Sequence, residues 1–500
     1  MTDLAFLLDP KRLKAQATQR QLPMQRTLYE ALKSAITQRR VQAGAVLPAS
    51  RELARELAMA RNGVIYAYEQ LAAEGYVQTS RQGTVVAALG ARPDAQLSAS
   101  GQQMLAAGLS SRVHGYDRRR TPEDDMRPFM PGMPALDAFP LQTWRRLCDR
   151  AARQGGSADL GYRYSVGEPE LRQAIATYLR AARGVRCEAD QVTVTDGTQH
   201  SLELCAHMLA DAGDTAWIEH PGYGAARTAL RQAGLNVVPV TVDAEGIAPP
   251  DDWWHAKPPR LVYTTPSHQY PLGSVLTLPR RLSLIERARE HGAWILEDDY
   301  DSEFRHDGPP LAAMQGQVAD APVVYLGTFS KSMFPALRLG FIVWPQALAD
   351  KACGVIGHLV RRGRTTEQHA LAAFIDEGHF TTHLRKMRKL YATRQAALRE
   401  ALAQHWPLPG AVLGGQAGMH LVLSLPQGAS QHVDDQAMAN AAYQRGLSPR
   451  PLSIYGTGGI SGFNGLVMGY ANTHEDRMAQ FVKDMAAGLP GLMSARLQRR

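Results

Sequence analysis

Six short apolar runs, separated by stretches with helical spacing, constrain this chain more than any other feature. They are Gln191-Val-Thr-Val-Thr195, Thr215-Ala-Trp-Ile218, Leu261-Val-Tyr-Thr264, Ala293-Trp-Ile-Leu296, Val323-Val-Tyr-Leu326 and Phe341-Ile-Val343. A strand covered on both faces reads as a continuous apolar run, and a helix between two such strands returns the chain in the same direction. The expected class is therefore α/β, a mostly parallel sheet wrapped by helices. Past about residue 375 the pattern changes to a smaller helix-and-hairpin segment, expected to form a C-terminal subdomain. Ligands of such sheets gather beyond the carboxyl ends of the strands.

With 500 residues the chain exceeds one ordinary domain, and two or three are expected. Apolar content of 45% and charged content of 20% suit a globular protein. No apolar run reaches about 18 residues, so no membrane span is expected. The N-terminus, Met-Thr-Asp-Leu-Ala-Phe-Leu-Leu-Asp-Pro, lacks a basic export region, which points to a cytoplasmic protein. Cys148, Cys187, Cys205 and Cys353 are far apart and form no C-x-x-C, so reduced, buried thiols are expected and metal ligation is not.

The chemistry clusters where the strands end. Gly327-Thr-Phe-Ser-Lys-Ser-Met-Phe-Pro-Ala-Leu-Arg-Leu-Gly340 places Lys331 just past an apolar strand, with hydroxyls at Thr328, Ser330 and Ser332 and a cation at Arg338. An amine held at a rigid strand end, beside phosphate-binding groups, suits a Schiff-base lysine and points to pyridoxal 5'-phosphate (PLP). Burial beside Arg338 would also favour the neutral amine. Gly197 and Thr198 open a helix after the strand ending at Thr195, where free amides and a hydroxyl can cradle a phosphate. In Glu297-Asp-Asp-Tyr-Asp-Ser-Glu-Phe304, strand alternation puts Asp298 and Tyr300 on one face and Asp299 on the other. A carboxylate there can keep a pyridinium nitrogen protonated, and the tyrosine can bond the ring's 3-hydroxyl. Tyr223, after another strand end, is placed to stack on a cofactor ring.

The first fifth of the chain reads differently. Residues 1–93 hold 13 Lys and Arg against 7 Asp and Glu, which puts +6 of the total +8 there. Leu28, Leu32, Ala35 and Ile36 form a helical stripe within Gln25 to Arg40. Gly44 and Pro48 break it, and Ser50 is the expected N-cap of a second helix, Arg51 to Leu57. After a turn at Ala58-Met59, a third helix runs from Arg61 to Glu74, burying Val64, Tyr68 and Leu71 and ending at Gly75. Two strand-like runs follow, Tyr76 to Thr79 and Thr84 to Ala87, joined by Ser80-Arg-Gln-Gly83. Three helices and a hairpin make a winged helix-turn-helix, whose third helix enters the major groove of double-stranded DNA. Arg61 and Asn62 would then reach base edges, Arg51 a phosphate, and Gln82 and Gly83 the minor groove. Residues 88–125 lose periodicity and end in a dense charge run, as an exposed linker does. The expected domains are 20–88, a linker over 89–127, and 128–490.

Leu47-Pro-Ala-Ser-Arg-Glu-Leu-Ala54, Ala60-Arg-Asn-Gly-Val64, Ala67-Tyr-Glu-Gln-Leu71 and Glu74-Gly-Tyr-Val77 resemble the GntR family of bacterial regulators over about residues 20–88. That family often carries Ser or Thr where Ala60 and Gly63 stand, a departure that bears on which operator is read. From about 128 to 485 the chain resembles the fold-type I aminotransferases. The resemblance implies that Lys331 carries the aldehyde of PLP, that Asp298 and Tyr300 contact its N1 and O3, and that Gly197, Thr198, Gln199, Thr328, Ser330 and Arg338 bind its phosphate. It also implies that Tyr162, in Gly161-Tyr-Arg-Tyr-Ser-Val-Gly167, reaches the phosphate of a neighbouring subunit in a homodimer. Two departures stand out. Tyr270 precedes Pro271 where aminotransferases usually have Asn, and Val467 takes the place of their carboxylate-binding arginine, for which Arg450 is the candidate substitute.

Both resemblances on one chain, with Phe129-Met-Pro-Gly132 and Thr265-Pro-Ser-His-Gln-Tyr-Pro271, resemble the MocR/GabR-type regulators. The implied function is a PLP-dependent transcription regulator, cytoplasmic and nucleoid-associated in a bacterium, that senses an amine, an amino acid or PLP itself. The alternatives are an active aminotransferase with an appended DNA-binding module, and a DNA-binding protein whose large domain only dimerises.

Overall fold

The computed structural model describes residues 9–80, 83–88, 126–306, 308, 310–361, 363–415, 417–425, 434–456 and 462–489. It divides into two compact units. Most of the expected linker, and Gln82 at the expected wing tip, lie outside the described residues.

The first unit holds α1 (Pro10–Arg20), α2 (Met24–Thr37), α3 (Ser50–Glu56), α4 (Arg61–Ala73) and the antiparallel hairpin β1 (Val77–Ser80) and β2 (Gly83–Val86). The apolar positions read from the sequence close its core: Leu28, Leu32, Ala35 and Ile36 of α2 meet Val64, Tyr68 and Leu71 of α4. Burying a leucine such as Leu28 contributes about 2 kcal/mol. The sequence reading passed over α1, because Leu13 is the one side chain it buries. Asp9 starts it by accepting from the Lys11 amide, with Pro10 at the first helical position. Ser50 is not the cap of α3: Ala49 holds the extended cap backbone, and Ser50 is already helical, with Oγ accepting from Arg61 Nε at 3.4 Å. Val46 bridges to Val85 and adds the interhelical link to the wing.

In the second unit β3 (Val192–Thr195), β4 (Thr215–His220), β5 (Asn236–Asp243), β6 (Gly246–Ile247), β7 (Leu261–Thr264), β8 (Trp294–Asp299), β9 (Val323–Thr328) and β10 (Gly340–Val343) form one sheet in the order β3-β10-β9-β8-β7-β4-β5-β6. The run β5-β4-β7-β8-β9 is parallel, and β10 is antiparallel to both its neighbours. Neighbouring residues in a strand pack into different apolar layers, Ile295 into one and Leu296 into the other, so helices cover both faces. The sequence reading omitted β5, whose Pro239 removes a ladder donor and weakens a strand assignment. A second sheet, β11 (Ala411–Leu413), β12 (His420–Ser424), β13 (Arg450–Pro451) and β14 (Gly465–Gly469), is antiparallel in the order β11-β12-β14-β13. This is the smaller C-terminal subdomain. Among the described residues no helix is long and apolar enough to cross a membrane.

Candidate cofactor site and DNA-reading surface

A cavity of about 270 Å³ opens at the carboxyl ends of the parallel strands. Thr198 and Gln199 enter it from the start of α5 (Thr198–Leu209), which follows β3. Tyr223 comes from beyond β4, Tyr263 and Thr265 from β7 and its end, and Asp298 and Tyr300 from β8 and its end. Thr328, Ser330 and Lys331 come from the end of β9 and the single-turn α6 (Phe329–Ser332), and His420 and Met419 from the start of β12 of the smaller sheet and the residue before it. The cavity thus collects residues that the sequence scatters over more than two hundred positions.

Lys331 is presented by a capped turn rather than a loop. Thr328 is the N-cap of α6 and its hydroxyl accepts from the Ser330 amide at 3.2 Å. Lys331 Nζ donates to the Gly132 carbonyl at 2.8 Å, inside the cavity.

Asp298 and Asp299 face opposite ways, because β8 continues through both. Asp298 accepts from the Tyr263 hydroxyl at 2.7 Å through Oδ2, while its buried Oδ1 has no hydrogen-bond partner among the described residues. Burial pushes the Asp298 carboxyl up to about 7. A buried, partnerless carboxylate oxygen aimed into a cavity fits a bound N–H donor. Asp299 points away from it, to Arg183 and Tyr325, in a fully buried ion pair.

An anion cradle completes the cavity. Gly197, with φ +91°, caps α5, and a Cβ there would stand 3.5 Å from the Arg338 guanidinium carbon. Arg338, Thr198, Gln199 and Ser330 all line the same cavity, with the positive end of α5 behind them. Tyr223 supplies an aromatic wall, its ring edge-on to Tyr270 at 5.9 Å. Lysine, carboxylate, cradle and rings together fit a pyridine aldehyde with a phosphate arm.

Three residues predicted for the cofactor or effector do not line this cavity: Gly197, which sits against Arg338, Tyr162 and Arg450. Tyr162 is 92% exposed, and Arg361 lies 5.8 Å from its ring. Arg450 sits on β13, where its Cα partner is Val467, the position that lacks the expected arginine. Its charge acts on Tyr270 and Tyr455, whose hydroxyls are 2.9 Å apart. Tyr270, at the usual asparagine position, does line the cavity.

Sequence reasoning missed Tyr263, His268, Asp301 and His420. The ligand-capable atoms of His268, Asp301 and His420 lie within 4.8 Å of one another, all buried. His268 Nδ1 is 3.1 Å from both Asp301 oxygens, and His420 Nε2 donates to the Pro271 carbonyl at 2.9 Å. His268 and Asp301 were visible inside quoted motifs but carried no spacing signal, and His420 arrives from a different sheet.

On the first unit Arg51, Arg61 and Asn62 are exposed, at the starts of α3 and α4. Gly83 opens β2 with φ +122°, the left-handed region that favours glycine at a hairpin tip. A convex helix start with exposed Arg and Asn, flanked by a wing, is the geometry that docks in a major groove.

Comparisons with known proteins agree with both halves. Residues 24–86 match the family described as bacterial regulatory proteins, gntR family, and residues 135–483 match aminotransferase class I and II. The chain is 40% identical over 480 residues to the probable rhizopine catabolism regulatory protein MocR of Rhizobium meliloti, with 95% of each chain covered. It is 29% identical to the HTH-type pyridoxine biosynthesis transcriptional regulator PdxR of Corynebacterium glutamicum, over 96% of this chain and 97% of that one. Its fold is similar to that of LysN, an alpha-aminoadipate aminotransferase of Thermus thermophilus solved with N-(5'-phosphopyridoxyl)-L-leucine. The TM-score there is 0.65 at 27% identity, over 74% of this chain and 93% of that one.

Proposed function

Because this chain belongs to the MocR-type transcription regulators, in which a GntR-type helix-turn-helix is joined to an aminotransferase class I and II domain, we propose that its cavity holds PLP on Lys331 and reports an effector's arrival to DNA. The chain is a DNA-binding transcription regulator, and its relatives favour this over a working aminotransferase with a DNA module attached.

One observation carries the cofactor assignment. The Lys331 amine and the partnerless Asp298 Oδ1 line the same cavity of about 270 Å³. PLP supplies an aldehyde that condenses with an amine and a ring that withdraws electrons. Asp298 would hold the proton on the ring nitrogen. Tyr300 would aim its hydroxyl at the ring's 3-oxygen, and Tyr223 would cover one ring face. Gly197, Thr198, Gln199, Thr328, Ser330 and Arg338 would bind the phosphate. Lys331 would leave its contact with the Gly132 carbonyl to take the aldehyde.

The effector is an amine, an amino acid or PLP itself. Arg450, whose charge acts on Tyr270 and Tyr455, is the candidate for an acidic group of that effector. Tyr162, exposed beside exposed Leu160 and Tyr164, would reach the phosphate of a second copy in a homodimer. Two winged helices would then read paired half-sites at the nucleoid, in the cytoplasm. Arg51, Arg61, Asn62, Gln82 and Gly83 would supply the DNA contacts. Coupling of this kind is reciprocal, so operator DNA should change effector affinity by the same factor.

Lys331→Ala is the test. It should abolish the visible band of PLP-loaded protein while operator binding by cofactor-free protein persists. A retained band would put the cofactor on another residue.

A further inference from the structure

Tyr300 does not stand alone in the cavity wall. Its hydroxyl lies 3.0 Å from His268 Nδ1, and the same nitrogen lies 3.1 Å from each Asp301 carboxylate oxygen. The Tyr300 and His268 rings stack at 28° with centroids 6.0 Å apart. His268 and Asp301 are 3% and 1% exposed. The backbone is shaped around this pair. A Cβ at Gly418, whose φ is +83°, would collide with the His268 ring and the Asp301 carboxylate. A Cβ at Gly273, whose φ is +79°, would stand 3.1 Å from His268 Nε2.

The network assigns the tautomer. A carboxylate only accepts, so Nδ1 facing both Asp301 oxygens carries the proton. His268 Nε2 is buried with no hydrogen-bond partner among the described residues, which a bare lone pair tolerates better than an N–H. With Nδ1 a donor, the Tyr300 oxygen accepts from it, and the hydroxyl hydrogen must point elsewhere. Tyr300 lines the cavity, so that direction is the cavity.

We propose that His268 and Asp301 are positioning residues that orient the Tyr300 hydroxyl so that it donates into the cofactor cavity. This rests on the reading that PLP occupies the cavity, with its 3-oxygen facing Tyr300. A donor held there favours the anionic oxygen and so sets the pH at which the lysine-bound cofactor titrates. The other charged or titratable groups around Tyr300 and His268 are Asp298, Tyr270 and Glu219 from the large sheet and its loops, His420 from β12, and Lys331 from α6.

The experiment compares full-length His268→Leu, His268→Asn and Asp301→Asn with the parent by pH titration of the PLP visible band. His268→Leu should raise the titration midpoint by about one pH unit, the size of one lost hydrogen bond to a charged group. His268→Asn retains an N–H near the Nδ1 position and should reverse most of that shift; Asp301→Asn should behave like a partial loss. In a Tyr300→Phe background His268→Leu should shift nothing further. A His268→Leu shift of equal size without the Tyr300 hydroxyl, or no shift with it, overturns the proposal. If no visible band forms in the parent, the PLP reading fails instead, and proton NMR of the cofactor-free protein decides the positioning. A slowly exchanging histidine Nδ1–H signal should be present, move in Tyr300→Phe and vanish in His268→Leu; its absence in the parent also overturns the proposal.

Discussion

Asp298 and Asp299 are sequence neighbours that face opposite sides of one strand, the first toward the cavity and the second toward buried Arg183. Their substitutions should therefore separate. Asp298→Asn keeps a carbonyl for the Tyr263 hydroxyl, so the fold should survive while PLP affinity and the visible band suffer. Asp299→Asn leaves the Arg183 guanidinium, which is fully buried, without its charge partner. Breaking such a pair costs about 3–5 kcal/mol. Urea unfolding should show that loss for Asp299→Asn and little change for Asp298→Asn.

Arg61 leads the helix expected to enter the major groove, and its side chain is exposed. Arg61→Ala should weaken operator binding by about 1–3 kcal/mol and relax base preference at one position. PLP binding should stay as it was. Electrophoretic mobility shifts alongside absorbance spectra check both; equal loss of the two would mean a folding defect.

Ala60 occupies the N-cap position of α4 with extended backbone, φ −66° and ψ 136°, and no side chain caps the helix. Ala60→Ser would supply the missing acceptor and should stabilise the first unit by about 1 kcal/mol. A rise in the denaturation midpoint of full-length protein, followed by a probe in that unit, tests this. The substitution also restores a hydroxyl that GntR relatives often carry there, so its effect on operator preference is a second readout.

His383 is buried against Phe139, and burial holds its imidazole down at about 4. His420, fully enclosed, is held at about 3 for the same reason. A depressed histidine is neutral in the fold but protonates once unfolded. Its contribution is present above about 6.5 and is lost as pH falls from there to the folded value. His383→Leu should therefore flatten the fall of stability between about pH 6.5 and 4 by about 1.4 kcal/mol per pH unit. Urea titrations across that range give the slope, which is independent of any uniform cost of the substitution.

Much of the site could be read from local pattern because its residues sit at strand ends. Asp298 and Tyr300 share a face by strand alternation, and Lys331 follows an apolar strand directly. Local pattern also gave wrong detail. Ser50 looks like a cap by residue type, but the helix begins one residue earlier and its hydroxyl serves Arg61 instead. The strand carrying Asp298 ends at Asp299 rather than Leu296, because ladder bonds to β9 continue past the apolar run. Pro239 concealed a strand that parallel pairing with β4 holds in place.

The sequence by itself determined the two-part architecture, the sheet, the lysine and the basic helix start, since each is written in short-range periodicity and residue chemistry. Only the tertiary structure decided that His420 reaches the cavity, that His268 and Asp301 stand beside Tyr300, and that Arg450 lies opposite Val467. The first comes from the smaller sheet meeting the large one, the second from the ends of β7 and β8 with two glycines that let backbones approach, and the third from the pairing of β13 with β14. Contacts between distant segments leave no periodic signal in the chain.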